Sequence, residues 1–152
     1  MTPQQMLYKA LFIRAKHGVE LTVTGISMEP VLHHGDTITV QKKETYEIGD
    51  ILVFLNKYQE LLVHRLLKIE NGRYFCKGDN SFRLEDMDAS QIIGAVRLDS
   101  DPHRGDEFIE ASLEISRIFR RSGFQHEATM ETEAYKNYKT RYLEKHYEIH
   151  KK

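Results

Sequence analysis

Two strand-like runs in the middle of the chain constrain the fold most. Residues 51–55 are continuously apolar, and the second run, residues 61–69, follows after a short polar segment at 56–60. A continuous apolar run of this length is typical of a strand covered on both faces, and the polar segment is typical of a hairpin connection. Asn71-Gly72, directly after the second run, is the best hairpin signal in the chain. The middle of the sequence therefore predicts antiparallel strands joined by tight turns.

Shorter segments extend this β-rich region in both directions. Residues 21–24 and 37–40 alternate and are rich in β-branched side chains, and strand-like runs recur at 73–77 and 92–98. The connections between these segments are short. We therefore expect a mainly β fold, an antiparallel domain over residues 19–99 that carries the function.

Helical patterns flank this predicted domain. Residues 1–18 predict an N-terminal helix, since Pro3 suits a first turn and Gly18 is well placed to end it. Residues 106–152 predict a helical C-terminal extension, in which apolar side chains recur at helical spacing and a second, tyrosine-rich helix covers residues 128–149. We expect this extension to serve attachment rather than catalysis.

Bulk properties narrow the classes of function. The 22 Lys and Arg residues are balanced by 23 Asp and Glu residues, so the net charge of −1 gives no general case for a nucleic-acid partner. Cys76 is the only cysteine, which excludes an intramolecular disulfide and fits a reducing compartment. No segment approaches the roughly 18 apolar residues that span a bilayer, and no cleavable leader pattern is present. We therefore expect a cytoplasmic protein.

The candidate nucleophile lies in a turn bounded by glycine and proline, Gly25-Ile-Ser27-Met28-Glu-Pro30. A serine hydroxyl is a poor nucleophile at neutral pH and needs an adjacent base. Four short motifs that could build such a site follow in order along the chain: Gly35-Asp36, Gly49-Asp50, Val63-His64-Arg65 and Lys77-Gly78-Asp79-Asn80.

In their order and spacing, these motifs resemble the S24/S26 serine peptidases, the superfamily of type I signal peptidases and LexA-type self-cleaving repressors. The resemblance covers roughly residues 20–98 and implies cleavage of an extended peptide or protein segment, without a cofactor or a metal. Most bacterial signal peptidases and the repressors carry a lysine base directly before the arginine of the third motif. The endoplasmic-reticulum and archaeal enzymes carry histidine there, so Val63-His64-Arg65 is most similar to the histidine type.

The resemblance implies a role for each matching residue. Ser27 is the nucleophile, and its backbone N–H is a donor of the oxyanion hole. Met28 packs beneath the turn and Pro30 fixes its exit, which places both at the substrate-binding site. His64 is the general base, and its unperturbed pKa predicts an acid limb of activity near pH ~6–7. Lys77, on the adjacent predicted strand, is the substitute base if His64 faces away.

Two parts of the implied site stay open. A histidine base usually needs a carboxylate that sets its tautomer. Asp86 matches the orienting position of the histidine-type enzymes approximately, while Asp79 is more typical of a structural turn residue and Asp88 is a third candidate. Gly25 stands where many signal peptidases supply an oxyanion hydroxyl, so a second backbone donor or water would have to replace it.

Other functions remain possible from the sequence. One is a peptide-binding module of the same fold without turnover, and another is a self-processing regulator, although neither a DNA-binding helix-turn-helix nor an evident cleavage site precedes Ser27. The tyrosine-rich C-terminal helix is a candidate for docking a protein or a membrane surface. His146 and His150 have the i, i+4 spacing of zinc ligands, but no third ligand is evident nearby, so we expect no metal.

Overall fold

The apolar run at residues 51–55 is a strand in the interior of a seven-stranded antiparallel sheet in the computed structural model, which describes residues 1–145. All five of its side chains are buried, because both faces of the sheet are covered here. The second run forms the neighbouring strand, Leu61–Glu70, which pairs with the first so that Leu52 lies opposite His64.

The complete sheet confirms the expected fold class. Its spatial order is β1-β2-β7-β3-β4-β5-β6, and each neighbouring pair is antiparallel. The strands are β1 (Val19–Thr22), β2 (Thr37–Gln41), β3 (Ile51–Leu55), β4 (Leu61–Glu70), β5 (Arg73–Lys77), β6 (Glu85–Met87) and β7 (Ile92–Val96). The sequence did not predict β6 or the 3-10 turn Ala89–Gln91 that follows it.

Alternate side chains of β3 enter two separate cores. Ile51 and Val53 belong to a core that also holds the buried residues after Ser27 and the first helix. Leu52 and Phe54 belong to a second core on the other face, together with Leu66 and residues of β5 to β7. This alternation is the reason that a wholly apolar strand is needed at this position.

The N-terminal helix α1 (Pro3–Arg14) begins with a complete capping box, in which the side chains of Thr2 and Gln5 each bond the backbone N–H of the other residue. Leu11 and Ala15 are buried in the first core. The helix ends earlier than expected, and Gly18 follows it in a left-handed conformation with φ +94°.

The C-terminal extension contains α2 (Asp106–Arg121), α3 (His126–Met130), α4 (Glu133–Tyr138) and a π-helical turn (Lys139–Leu143). The expectation of one continuous helix over residues 128–149 was wrong for its described part. Thr129 and Thr132 donate their hydroxyls to backbone carbonyls, and Thr132 then caps α4 by accepting from the Tyr135 N–H at 3.2 Å. Such side-chain bonds compete with helix continuation and divide the segment.

Residues 146–152 lie outside the described part of the chain, so the end of the predicted helix and the His146/His150 pair cannot be compared. Within residues 1–145, no helix has both the length and the apolar character needed to cross a membrane.

An aromatic cluster attaches the extension to the β domain. The predicted tyrosine stripe faces inward, and Tyr135 and Tyr138 are buried together with Phe108 and Phe119 of α2. The Tyr138 hydroxyl donates to the Asp79 carbonyl at 2.5 Å. Docking of a membrane or protein through the C-terminal helix stays a prediction, and any such surface has to lie outside these buried rings.

A buried ion-pair network lies where the extension meets the sheet. Arg65 lies in the middle of β4. Its guanidinium donates two parallel hydrogen bonds of 2.9 Å to the Asp79 carboxylate. It also donates to Asp101 at 2.6 Å and to the Gly49 carbonyl at 2.9 Å. His103 completes the network with Nδ1 at 2.8 Å from Asp79. Arg65 and Asp79 are wholly buried, so each compensates the charge of the other, which water cannot reach.

We predict that Arg65→Ala lowers the free energy of unfolding by about 3–5 kcal/mol, because it leaves a buried carboxylate unpaired. Arg73→Ala is the matched control, since Arg73 forms a solvent-exposed pair with Asp86 and its loss should cost no more than about 1 kcal/mol. Urea denaturation of the two variants measures both values. Equal losses for both would contradict the central place of the Arg65–Asp79 pair.

Candidate active site

The turn that carries Ser27 is closed at its base by backbone hydrogen bonds. The Val23 N–H donates to the Asp36 carbonyl and the Gly35 N–H donates to the Val23 carbonyl, each at 2.8 Å. Gly35 has φ +91°, a conformation that favours glycine, and the Asp36 carboxylate accepts from the His33 N–H at 2.9 Å. Gly35-Asp36 is therefore a structural turn.

Buried side chains after Ser27 anchor the turn to the first core. Met28, Pro30 and Leu32 are buried, whereas Ser27 is partly exposed and Ile26 is largely exposed. The Glu29–Pro30 peptide bond is cis. Met28 thus packs beneath the turn as expected, while a direct substrate contact of Met28 or Pro30 stays a prediction.

The segment after β5 holds the Ser27 turn from the other side. The Asn80 N–H donates to the Ser27 carbonyl at 2.8 Å, and Asn80 Nδ2 donates to the Ile26 carbonyl at 3.2 Å. A Cβ on Gly78 would lie only 2.6 Å from the Ser27 carbonyl oxygen and 3.0 Å from Ser27 Cβ. Glycine is needed at position 78 because of this close approach, a contact that the sequence pattern does not reveal.

The strand register brings His64 to the same place. Arg65 lies opposite Lys77 in the β4–β5 ladder, and extending this register by one residue places His64 beside Gly78. Directly opposite residues of an antiparallel pair project to the same face with Cβ atoms about 4.5–5.5 Å apart. The face of Gly78 that meets Ser27 Cβ is therefore the face on which the His64 side chain projects. Ser27 and His64 therefore lie on the same side of the Gly78 backbone.

The His64 imidazole is buried among apolar and acidic neighbours. It contacts the Phe54 ring edge-on, with centroids 6.0 Å apart, and its Nδ1 lies 3.5 Å from Glu85 Oε1. Nδ1 is buried without a hydrogen-bond partner. Burial, helped by the positive charge of Lys77 and opposed by Asp79, lowers the pKa of His64 to about 4. The imidazole is therefore neutral at neutral pH and able to accept a proton. In residues 1–145 no hydrogen bond joins it to Ser27.

The carboxylate next to His64 is Glu85, not one of the three aspartates considered from the sequence. Cys76 lies opposite Glu85 in the β5–β6 ladder, so Glu85 projects to the face of His64 and Asp86 projects to the other. Asp86 forms an exposed pair with Arg73 at 2.9 Å. The expected contact is thus displaced by one residue, because strand alternation reverses the direction of each successive side chain.

The two remaining aspartates have structural partners. The Asp88 carboxylate accepts from the Ser90 N–H at 2.9 Å and caps a 3-10 turn. Burial alone would raise the pKa of Asp79, but the Arg65 guanidinium and the hydrogen bond from His103 lower it to about 2. Asp79 is therefore an ionised member of the buried network.

Lys77, the substitute base, faces away from Ser27. Its side chain shares the face of Arg65, and its Nζ donates to Ser112 Oγ at 2.8 Å and to the Gly78 carbonyl at 3.0 Å. The Tyr138 hydroxyl is 3.5 Å away. Burial is the main cause that lowers the pKa of Lys77 to about 7. The amine is occupied by contacts with the C-terminal extension.

The expected oxyanion donor is available. Among the described residues, the Ser27 N–H makes no backbone hydrogen bond. Gly25, with φ +82°, instead uses its N–H to donate to His34 Nδ1 at 3.0 Å. Gly25, which has no hydroxyl to offer, therefore lies in a backbone turn that the exposed His34 side chain stabilises.

A cavity of about 290 Å³ opens next to His64 and Glu85. Its lining also includes Asn80 and several residues that follow it, and Phe119 and His126 of the C-terminal extension. No sequence pattern predicts this cavity, because it joins residues of the β domain to residues of the extension that lie far away in the sequence. The extension therefore contributes to the surroundings of the candidate base.

Comparison with known families identifies the class to which this fold belongs. The sequence matches the profile of the Peptidase S24-like family over residues 2–97, more than half of the chain. The protein therefore belongs to the Peptidase S24-like family, which has the LexA and signal peptidase type of fold. No curated protein matches the sequence significantly. The matched region ends before α2, so the extension lies outside it.

We predict that the free energy of unfolding rises between about pH 7 and about pH 9 because of Lys77. Its pKa falls from the ordinary value of 10.5 to about 7 on folding. Between these two pKa values the Lys77 amine is protonated in the unfolded state and neutral in the folded state. The free energy of unfolding therefore increases with pH, by up to about 1.4 kcal/mol per pH unit. Lys77→Met should flatten this rise.

Lys68→Met is the control for this measurement, since Lys68 is a partly exposed residue of β4. Urea denaturation at several pH values compares the slopes. A Lys77→Met slope equal to that of the wild type would show that Lys77 is not a neutral buried amine.

Proposed function

We propose that this chain is a serine endopeptidase of the histidine type, in which Ser27 attacks the scissile carbonyl of an extended peptide segment and His64 is the general base. The single observation that carries the proposal is the position of Gly78. This residue touches Ser27 at a distance that allows no side chain. It directly follows Lys77, which pairs with Arg65, so extending the ladder by one residue places it beside His64. Family membership supports a peptidase in general.

The proposed chemistry uses groups that the site holds. The Ser27 hydroxyl proton moves to His64 as Oγ bonds the carbonyl carbon, and the oxyanion that forms accepts from the free Ser27 N–H. The imidazolium then protonates the leaving amine. Water hydrolyses the acyl-enzyme, with His64 again accepting a proton. Because Nδ1 faces Glu85, Nε2 is the nitrogen that exchanges the proton with Ser27.

Glu85 takes the orienting role in this proposal. A carboxylate beside Nδ1 favours the tautomer that leaves Nε2 free as a base, and it stabilises the imidazolium when that forms. In the free protein the contact is not yet a charged pair, since the pKa of His64 is about 4 and burial raises the pKa of Glu85. Asp86 and Asp79 are engaged elsewhere.

Two alternatives are kept with the proposal. A peptide-binding module without turnover would share every geometric feature described above, and it is separated from an enzyme only by reactivity. A self-processing regulator would have to deliver its own segment to Ser27. A cytoplasmic location stays a prediction from the sequence, and the single cysteine, Cys76, which is buried and free, is consistent with it.

We predict that a serine-directed fluorophosphonate labels the wild-type protein and not Ser27→Ala. His64→Ala should slow labelling by about 10³-fold or more, as when one member of a nucleophile–base pair is lost. His17→Ala, which removes an exposed histidine near α1, is the matched control and should label normally. Mass spectrometry of the intact protein measures all four rates. Unchanged labelling in His64→Ala would exclude His64 as the base.

We predict that the pH dependence of labelling distinguishes the two candidate bases. A base works only when neutral, so the rate rises with pH through the pKa of the free protein's base. With His64 the acid limb lies near pH 4, below the value expected from the sequence, because burial lowers the pKa of His64 to about 4. With Lys77 the limb lies near pH 7.

Circular dichroism at each pH confirms that the protein is folded during this experiment. Retained labelling in Lys77→Met is the complementary result. An acid limb near pH 7 that disappears in Lys77→Met would contradict the assignment of His64.

A further inference from the structure

The cavity next to His64 has a wall that the peptidase family does not supply. Phe119, near the end of α2, and His126, at the start of α3, both lie beyond the residues that match the family. They pack edge-on against each other with ring centroids 4.9 Å apart. Phe82, two residues after Asn80, completes this group of rings. Its ring centroid lies 5.5 Å from that of Phe119 and 5.3 Å from that of His126.

The three rings differ in exposure, which shows how the wall is built. Phe82 and Phe119 are buried in the cluster that holds the extension on the sheet, so their positions are fixed. His126 is exposed and rests on both of them. A rigid aromatic support thus presents one accessible ring to the cavity.

The opposite side of the cavity is polar. His64 and Glu85 lie at the inner end, and Asn80, Ser81 and Arg83 complete the lining. One carboxylate and one guanidinium offset each other, so charge alone does not select the occupant. Nδ1 of His64 is buried without a hydrogen bond at this end. A volume of about 290 Å³ is at or below the lower limit of pockets for small-molecule ligands, roughly 300–1,000 Å³, and suits a single side chain.

We propose that this cavity receives an aromatic side chain of the substrate, so that the C-terminal extension determines the specificity of the peptidase. Aromatic rings prefer edge-to-face and offset contacts of the kind that Phe82, Phe119 and His126 already make among themselves. A polar lining at the inner end accommodates a phenolic hydroxyl. This inference rests on the proposed function, since the cavity is a specificity site only if Ser27 and His64 cleave peptides.

The inference assigns the extension a different role from the attachment expected from the sequence. α2 and α4 fix the extension through the buried aromatic cluster, and the end of α2 and the start of α3 carry the side chains that reach the cavity. A substrate side chain bound there lies next to His64, because the imidazole is itself part of the lining.

The test is the cleavage profile of a proteome-derived peptide mixture, read by mass spectrometry of the new termini. We expect the wild type to favour peptides with Phe, Tyr or Trp at one position near the cut. In His126→Ala the ratio of kcat/KM for an aromatic peptide to that for its alanine analogue should fall about 10-fold or more, as for loss of a pocket contact. The position that loses its preference identifies the residue that the cavity receives.

Met130→Ala is the matched control. Met130 is an exposed residue of α3, the helix that also carries His126, but it lies outside the lining of the cavity, so the profile should not change. An identical profile in His126→Ala and wild type, or a wild type without aromatic preference, would overturn the inference. Fluorophosphonate labelling of the wild-type protein tests Ser27 separately: labelling without aromatic preference rejects only the specificity site, whereas the absence of labelling rejects the proposed function.

Discussion

The buried ion pair between Arg65 and Asp79 is the interaction on which the rest of the structure depends. Arg65 directly follows the candidate base His64 along β4, and Asp79 directly follows Gly78, the residue that touches Ser27. Pairing the two charges therefore fixes two backbone segments relative to each other. A wholly buried pair of this kind adds little net stability, but it strongly disfavours any arrangement in which one partner is missing. The position of Ser27 relative to His64 follows from that constraint.

The same network holds the C-terminal extension in place. Asp101 and His103, in the segment that leads to α2, contact Arg65 and Asp79, and Tyr138 of α4 donates to the Asp79 backbone. One buried charge cluster thus joins the peptidase-like sheet, the site and the extension. Because Phe119 and His126 reach the cavity only when the extension is docked, its packing and the shape of the candidate site are coupled.

The parts of the fold that depend on local pattern were predictable. β3 and β5 have the predicted bounds, and the fold class follows from their apolar runs and the intervening turns. The parts that depend on contacts between distant residues were not. Choosing Glu85 over Asp86 requires the β5–β6 register, which cannot be predicted from a strand of only three residues. The division of the last predicted helix depends on how Thr129 and Thr132 use their hydroxyls.

The roles of the candidate site residues stay a prediction, and their electrostatics could not be predicted from the sequence. The motifs identify Ser27 and His64, but the sequence gives His64 an ordinary pKa, whereas burial on the inner side of β4 lowers it to about 4. The residues of α2 and α3 that line the cavity form no recognisable sequence motif, because packing among aromatic rings tolerates many sequences.

A crystal structure of the fluorophosphonate adduct is the most direct test of whether Ser27 is the nucleophile and His64 is its base. We predict that the phosphorus is bonded to Ser27 Oγ, that a phosphonyl oxygen accepts from the Ser27 N–H, and that His64 Nε2 lies within about 3.2 Å of Oγ. An adduct with Lys77 Nζ at Oγ and His64 turned away, or one formed on another residue, would contradict it.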